Sequence, residues 1–424
     1  MNHPPYNRQR GSTYIVVLGS SMVVAVIGLA AITATRMERR STEGMTDVST
    51  ARFYAQSAIE LGCYLIGSDA NWRTNRVNGT WVSNRVIGTG TLSLLGVDPN
   101  DANLSDSPTD PLVLTGIGLE GEARYNLQVW LQAQIPPLAC LETAVQAGSG
   151  VTFTSATVTC NQIISSNTDT TATASTVTAD LEAVGAINGA TYVGTQTTGI
   201  TARKMPSATA FDFYVNNGTA IPFANIPIVT SVATIENAVI SPASNPYGAT
   251  TNAQGIYVIN CGGNRLRIHN CRVVGTVVLL NTSTDSEVID SVAWEPAVAN
   301  YPALMVSGSI VLAMSNVALS ETTIGVNFNP SGTAFEGSVD ADTSDVYRSI
   351  IEGLVYVSGG ATIYNQTTID GGLIVGGTVT CQAPSGTSAP SFGYRAIYYN
   401  NPPPGFTDTP KMILSPGTWK QVVN

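Results

Sequence analysis

The sequence predicts a mainly β protein with one long N-terminal α-helix, a small antiparallel β module and then a β-solenoid of the right-handed parallel β-helix kind. Three observations predict it. Tyr14 to Thr35 is 22 residues without a charge, long enough as a helix to cross a bilayer. No Pro interrupts the chain from Tyr14 to Ile66. After Pro136-Pro137 the composition shifts to Thr, Val, Ser, Gly and Asn, and short apolar runs recur about every 20 residues.

Bulk composition narrows the class. A chain of 424 residues exceeds one ordinary core, so two or three domains are expected. Charged residues are 11% and apolar residues 43%, yet only one window is long enough to span a membrane, which excludes a multi-span protein. The net charge is −10; the first 40 residues carry five Arg and one Glu, +4, which leaves −14 on the rest. With only Lys204, Lys411 and Lys420 as lysines, that exterior argues against nucleic acid, whose phosphates need clustered cations.

The helix comes first. A secretory signal has a short apolar core and a small-x-small cleavage site. Here the run is longer and leads into Arg36, Glu38, Arg39 and Arg40, so removal as a signal is not expected. Beyond the apolar run, Val48, Ala51, Ala55, Ala58, Gly62 and Leu65 recur at steps of 3, 4, 3, 4 and 3. That is the seam of a packed helix, and its small residues let another backbone approach closely. A continuous helix would measure about 80 Å, half in lipid and half on protein. Ser41 to Gly44 is the candidate bend.

A short basic leader ending in Gly11, followed by a long N-terminal helix, resembles the type IV pilins and type II secretion pseudopilins. The stretch "ARFYAQSAIELG", Ala51 to Gly62, resembles a segment of their PilX-type minor subunits. The resemblance spans residues 8 to 66. It implies cleavage by a prepilin peptidase between Gly11 and Ser12. It implies membrane lipid and other pilin-like subunits as partners of the helix. It also implies a single pass through the bacterial inner membrane, with the bulk of the chain on the periplasmic or extracellular side. The family's usual Glu at the fifth mature position is Val16 here. Minor subunits of the PilX type and the K-type pseudopilin of the filament tip can lack that Glu, so the resemblance implies a minor, tip-like subunit.

The expected organisation is a leader over 1–11, the transmembrane and extended helix over 12–66 and a small pilin-like β module over 67–136. A β-solenoid over 137–393 and a C-terminal cap or tail over 394–424 complete it. In the module, "TWVSNRVIGTGTLSLLG" and "ARYNLQVWLQAQI" alternate apolar and polar residues around a polar loop. Asp98, Asp101, Asp106 and Asp110 of that loop match no complete calcium-binding pattern and read as a solvated acidic loop.

In the solenoid region Ile256 to Val277 is 21 residues, Leu266 to Val288 is 22, and Gly353 to Gly372 is 19. Repeats of that length, each closed by Gly or Asn, describe stacked coils with strands about 4.8 Å apart. The competing architecture is a β-sandwich array, whose strands would be longer and joined by hairpins. Val and Ile of runs such as "VVLL" point inward, and Thr, Ser and Asn point out. Tyr394, Tyr398, Tyr399, Phe406, Trp419 and the Pro402–Pro404 run suit a cap on the open end of such a stack.

Chemistry is sparse. Six Cys include no CxxC; Cys140 with Cys160 and Cys261 with Cys271 are candidate disulfides, the alternative being buried thiols. Asp285, Glu287, Asp290 and Glu295, with Arg265, Arg267 and Arg272 one coil earlier, are the best candidate set for a polysaccharide lyase or hydrolase. Ordinary solvated turn charge explains them as well. Asp340, Asp342 and Asp345 form a DxDxxD loop without the bidentate Glu that a calcium loop places after it. No GxGxxG leads from a strand into a helix, and no Walker loop, HExxH or GxSxG occurs. No catalytic residue, metal set or cofactor is therefore assigned. The expected function is a non-catalytic, membrane-anchored subunit that displays a β-solenoid head in a type IV pilus or type II secretion-like assembly. The alternative is a membrane-anchored β-helix carbohydrate-active enzyme, or an adhesin for a surface polysaccharide.

Overall fold

The computed structural model describes residues 10–248, 250–383 and 388–423. The chain forms two compact units: residues up to Ile135 together with those from Pro410 onward, and Pro136–Thr409.

In the first unit, α1 runs unbroken over Arg10–Ser68. The bend expected at Ser41 to Gly44 does not interrupt it. Hydroxyls that would compete for backbone are turned back onto the helix: Thr42 donates to the Glu38 carbonyl and Thr46 to the Thr42 carbonyl, both at 2.9 Å. Four strands follow as an antiparallel meander: β1 (Gly79–Ile87), β2 (Gly90–Val97), β3 (Leu112–Glu120) and β4 (Ala123–Gln134). The distant segments Lys411–Leu414 and Lys420–Gln421 add to the free edge of β4. Leu92, Leu94, Leu112, Leu114, Val129 and Leu131 form the sheet's inner face, closed by Ala58 and Ile59 of α1.

The second unit is a parallel stack with three faces. The first coil shows the pattern: Val145–Ala147 on face one, Val151–Thr154 on face two and Thr157 onward on face three. The next coil returns to face one at Ile164, paired in register with Val145. Other steps are 20 residues between Ile256 and Thr276 and 18 between Val355 and Leu373. Inward side chains such as Val145, Val277, Leu304, Val355 and Leu373 share one continuous core.

The coil order is not the chain order. On face one the stack reads Thr219–Ala220, Ile256–Asn260, Thr276–Leu280, Leu304–Val306, Val355–Val357, Leu373–Val375 and then Val145–Ala147. It continues through residues 164–166 and 181–183 to Gln196–Thr198. The chain thus enters mid-stack and winds to one end. Residues 199–218 carry it back along the outside to the other end, and it winds in again until its last coil pairs with its first. About nine inter-coil spacings make roughly 43 Å, within reach of that strap, whose non-helical residues extend roughly 33 Å and whose helical turns over Ala208–Phe211 and Asp212–Asn217 add roughly 17 Å.

Between its two end strands, face one is buried on both sides. Its outward row, Ile256, Val258, Val278, Met305, Tyr356 and Ile374, packs under Ala210, Phe211 and Tyr214 of the strap, with Leu138, Tyr398 and Phe406. Strands buried on both faces read as unbroken apolar runs. In "VVLL", accordingly, Val277 and Leu279 point inward while Val278 lies in this second layer.

The expected 394–424 cap is divided. Tyr398 and Phe406 cover the side of the stack, while Trp419 belongs to the other unit and is 42% exposed. The end that starts the stack is closed by an antiparallel hairpin, Ile228–Val229 on Val232–Glu236.

Candidate functional site

The N-terminal half of α1 presents its apolar side chains outward: Tyr14, Ile15, Val16, Val17 and Leu18 are all more than half exposed. It is one helix long and apolar enough to cross a membrane. Ser20, Ser21, Thr33 and Thr35 donate to carbonyls three or four residues back, so these hydroxyls need no water. Residues 1–9 of the expected leader lie outside the described residues. Of Gly11 and Ser12, only the helical backbone is described.

The expected seam divides. Ala51, Ala55, Ala58 and Gly62 are buried and Leu65 half-buried, but Val48 is 50% exposed. The backbone that approaches them is β3 of the same chain. A Cβ added at Gly116 would stand 2.0 Å from the Ala55 carbonyl oxygen, and one at Gly118 would stand 1.9 Å from that of Ala51. These glycines have no side chain because the helix lies against the strand there. The "TGIG" in β3 was the unread sequence signal for this contact. With the seam covered from within, the exposed apolar positions on this stretch of α1 are Val48, Phe53 and Tyr64.

All six cysteines are free thiols, so the pairings Cys140–Cys160 and Cys261–Cys271 are not formed. Cys140 belongs to the layer outside face one, whereas Cys160 flanks the inner core. Cys261 and Cys271 both fill that inner core. Burial pushes the thiols of Cys140 and Cys271 up to about 12 and that of Cys261 to about 11, which keeps them protonated and unreactive.

The candidate enzyme carboxylates are mostly paired along neighbouring coils. Glu287 accepts from Arg265 and Arg267 at 2.7 and 2.6 Å. His269 places Nε2 2.8 Å from Glu236, and its Nδ1 lies 3.3 Å from Asp290. Asp285 sits in an exposed turn. Arg272 is 1% exposed and holds down an insertion, residues 315–349, that interrupts one coil between faces two and three. Its guanidinium donates to the carbonyls of Phe328, Thr333 and Ala334 at 2.8, 3.0 and 2.6 Å and to Glu295 at 2.9 Å. The rings of Phe335 and Tyr347 lie 5.2 and 5.5 Å from it.

This insertion walls a cavity of about 390 Å³ on the outside of face three, lined by Arg272, Glu295, Phe335, Tyr347 and Arg348 among others. A second cavity, about 380 Å³, shares Arg348 and Ile350 with it and continues over Thr368, Ser391, Thr159 and Thr178. Arg395 bridges Glu352 and Asp370, both at 2.8 Å, beside this groove.

Two acidic clusters bring carboxylate oxygens within 4.8 Å of one another: Asp98, Asp101, Asp106 and Asp110, and Glu321, Asp340 and Asp342. In the first, Arg73 reaches into the loop through the carbonyls of Leu104 and Asp110. In the second, Asp345 lies alongside. Partial burial, with Asp340 and Glu321 next to it, pushes its carboxyl above the ordinary range. The Glu was invisible to a motif search because it precedes the Asp loop instead of following it.

Together these features define a protein with one candidate membrane-spanning helix, an antiparallel sheet packed on that helix, and a three-faced parallel β-solenoid. No protein-family model matches the chain, and no curated protein matches it. Among solved structures, it is similar to the competence-associated pilin ComZ from Thermus thermophilus. The identity is 10% over 89% of this chain and 98% of that one, with a TM-score of 0.36.

Proposed function

We propose that this chain is a non-catalytic, membrane-anchored pilin-like minor subunit that displays its β-solenoid as a head in a type IV pilus or type II secretion-like assembly. One observation carries the reading. The apolar helix does not end at the membrane surface but continues, unbroken, onto an antiparallel sheet at backbone contact. A plain anchor needs no such continuation, whereas a subunit extracted from the membrane into a filament needs its helix fixed to a folded sheet of its own chain. On this reading the span sits in the inner membrane until assembly, and other subunits pack on its exposed apolar surface. Val16 in the fifth mature position suits a tip subunit, which has no neighbour above it to require a carboxylate.

Mass spectrometry of the protein from a strain with active prepilin peptidase tests this. The mature chain is expected to begin at Ser12. Retention of residues 1–11 in that strain would leave a simple anchor as the better account.

A further inference from the structure

We propose that the end of the solenoid formed by residues 187–198 docks the same end of a second copy of this chain, the two joined edge to edge about a two-fold axis.

The two ends of the stack are built differently. At the end that starts it, Ile228–Val229 covers the outer edge of Val232–Glu236. Pro222 and Pro227, which have no amide to donate, flank the same region. Phe223 and Tyr247 pack against the core from neighbouring segments. Such devices keep a sheet edge from pairing with another chain.

The finishing end has none of them. Its strands are Ile187–Gly189 on face two, Thr191–Val193 on face three and Gln196–Thr198 on face one. Each pairs with the coil before it, and among the described residues no strand pairs with its other edge. Successive residues of a parallel ladder turn their amides and carbonyls to opposite neighbours. Thr195 offers its carbonyl to the Leu181 amide, so Gln196 and Thr198 direct their backbone groups away from the stack. Both residues are exposed. Ile187 and Tyr192 cover the core only in part, and Val193 is 53% exposed.

Charge selects the occupant. From Ala183 to Ala202 there is no Asp, Glu, Lys, Arg or Pro. The chain as a whole carries −10, so two copies repel over most of their surface. At this end they do not, and nothing there favours a partner of opposite charge. A two-fold axis across the stack reverses the sense of winding, so like ends meet as antiparallel pairs, the commoner kind of strand pairing. Because the other end is closed, association stops at two copies. Val184 to Ile200 supplies 17 residues, fewer than the roughly 20–30 a side of a standard interface. Strand pairing must therefore hold the dimer, and it should dissociate on dilution. This inference rests on the solenoid and is independent of assembly into a filament.

Sedimentation velocity of the full-length protein in detergent tests it, over about a hundredfold range of concentration. Monomer is expected to give way to dimer as concentration rises. The double variant Gln196→Lys with Thr198→Lys sets like charges against each other in the dimer but leaves them in water in the monomer. It should weaken association about tenfold or more with unchanged circular dichroism. Thr157→Lys, at an exposed position on the side of the first coil, should behave as wild type. In hydrogen exchange, residues 187–198 of the wild type should gain protection as concentration rises, and those of the double variant should not. A wild type that stays monomeric, or a dimer equally strong in the double variant, would overturn the proposal. So would species that grow beyond two copies, or a wild-type end whose exchange ignores concentration.

Discussion

At the scale of single residues, glycine has opposite meanings on the two partners of the helix–sheet contact. Gly44 on α1 has open space where a side chain would stand; there glycine only adds unfolded-state freedom. Gly116 on β3 has the Ala55 carbonyl 2.0 Å from where its Cβ would be. Gly44→Ala should therefore stabilise the first unit by about 1 kcal/mol. Gly116→Val should destabilise it by about 3 kcal/mol, because the strand must move off the helix. Thermal unfolding of the two variants beside wild type checks both signs, and equal melting would mean that helix and sheet are not in backbone contact. The Ala51–Ala55–Ala58–Gly62 spacing was legible because helical period survives in sequence. Its partner was not, since a glycine pair in one strand does not say which backbone comes near.

At the scale of elements, the strap of residues 199–218 explains why face one departs from the usual alternation. A solenoid strand with solvent outside would show polar residues at Val278, Met305, Tyr356 and Ile374. Here the strap, the 138–142 segment and residues 398–406 replace solvent. The apolar runs were legible as strands, but their second buried side was not, because inward and outward apolar residues look alike in one dimension. Where the strap begins, its fastening is polar. Arg203 donates to Glu182 at 2.9 Å and to the Ala139 carbonyl at 3.1 Å, and it also pairs with Glu142. Asn167 receives the Arg203 amide and donates to its carbonyl, both at 2.8 Å. Arg203→Ala removes the cation and leaves Glu182 half-buried beside no partner. We expect a loss of about 2 kcal/mol, below the cost of breaking a fully buried pair because all three side chains keep some solvent. Urea denaturation reads it, and Arg203→Lys should recover only part, lacking the fork that reaches two carboxylates at once. A variant as stable as wild type would mean that the apolar layer alone holds the strap.

At the scale of the whole molecule, the permuted stack sets how the second unit unfolds. Coils contact only their neighbours, so stability in a solenoid is carried from coil to coil. Sequence spacing revealed the coils but not their order, since each repeat offers much the same strands to either neighbour. The decisive contact is the seam where the last coil meets the first. Leu373–Val375 pairs there with Val145–Ala147, and Gly148 donates to the Val375 carbonyl at 2.7 Å. A Cβ on Gly148 would stand 2.3 Å from the Gly376 carbonyl oxygen. Gly189, on the coil that ends the stack, is as tightly placed, 2.0 Å from the Ala172 carbonyl oxygen. Gly189 also has φ +83°, so a side chain there is strained in its backbone as well as crowded, yet the two sites differ most in what lies beyond them. Gly148→Val opens a boundary with coils on both sides, so amide exchange should quicken both in residues 145–198 and in residues 355–393. Gly189→Val loosens only the terminal coil, and its effect should stay within residues 187–198. Hydrogen exchange with mass detection separates the two patterns. If Gly148→Val disturbed residues 145–198 alone, the two arms would be independent stacks and the mid-stack seam would carry no stability.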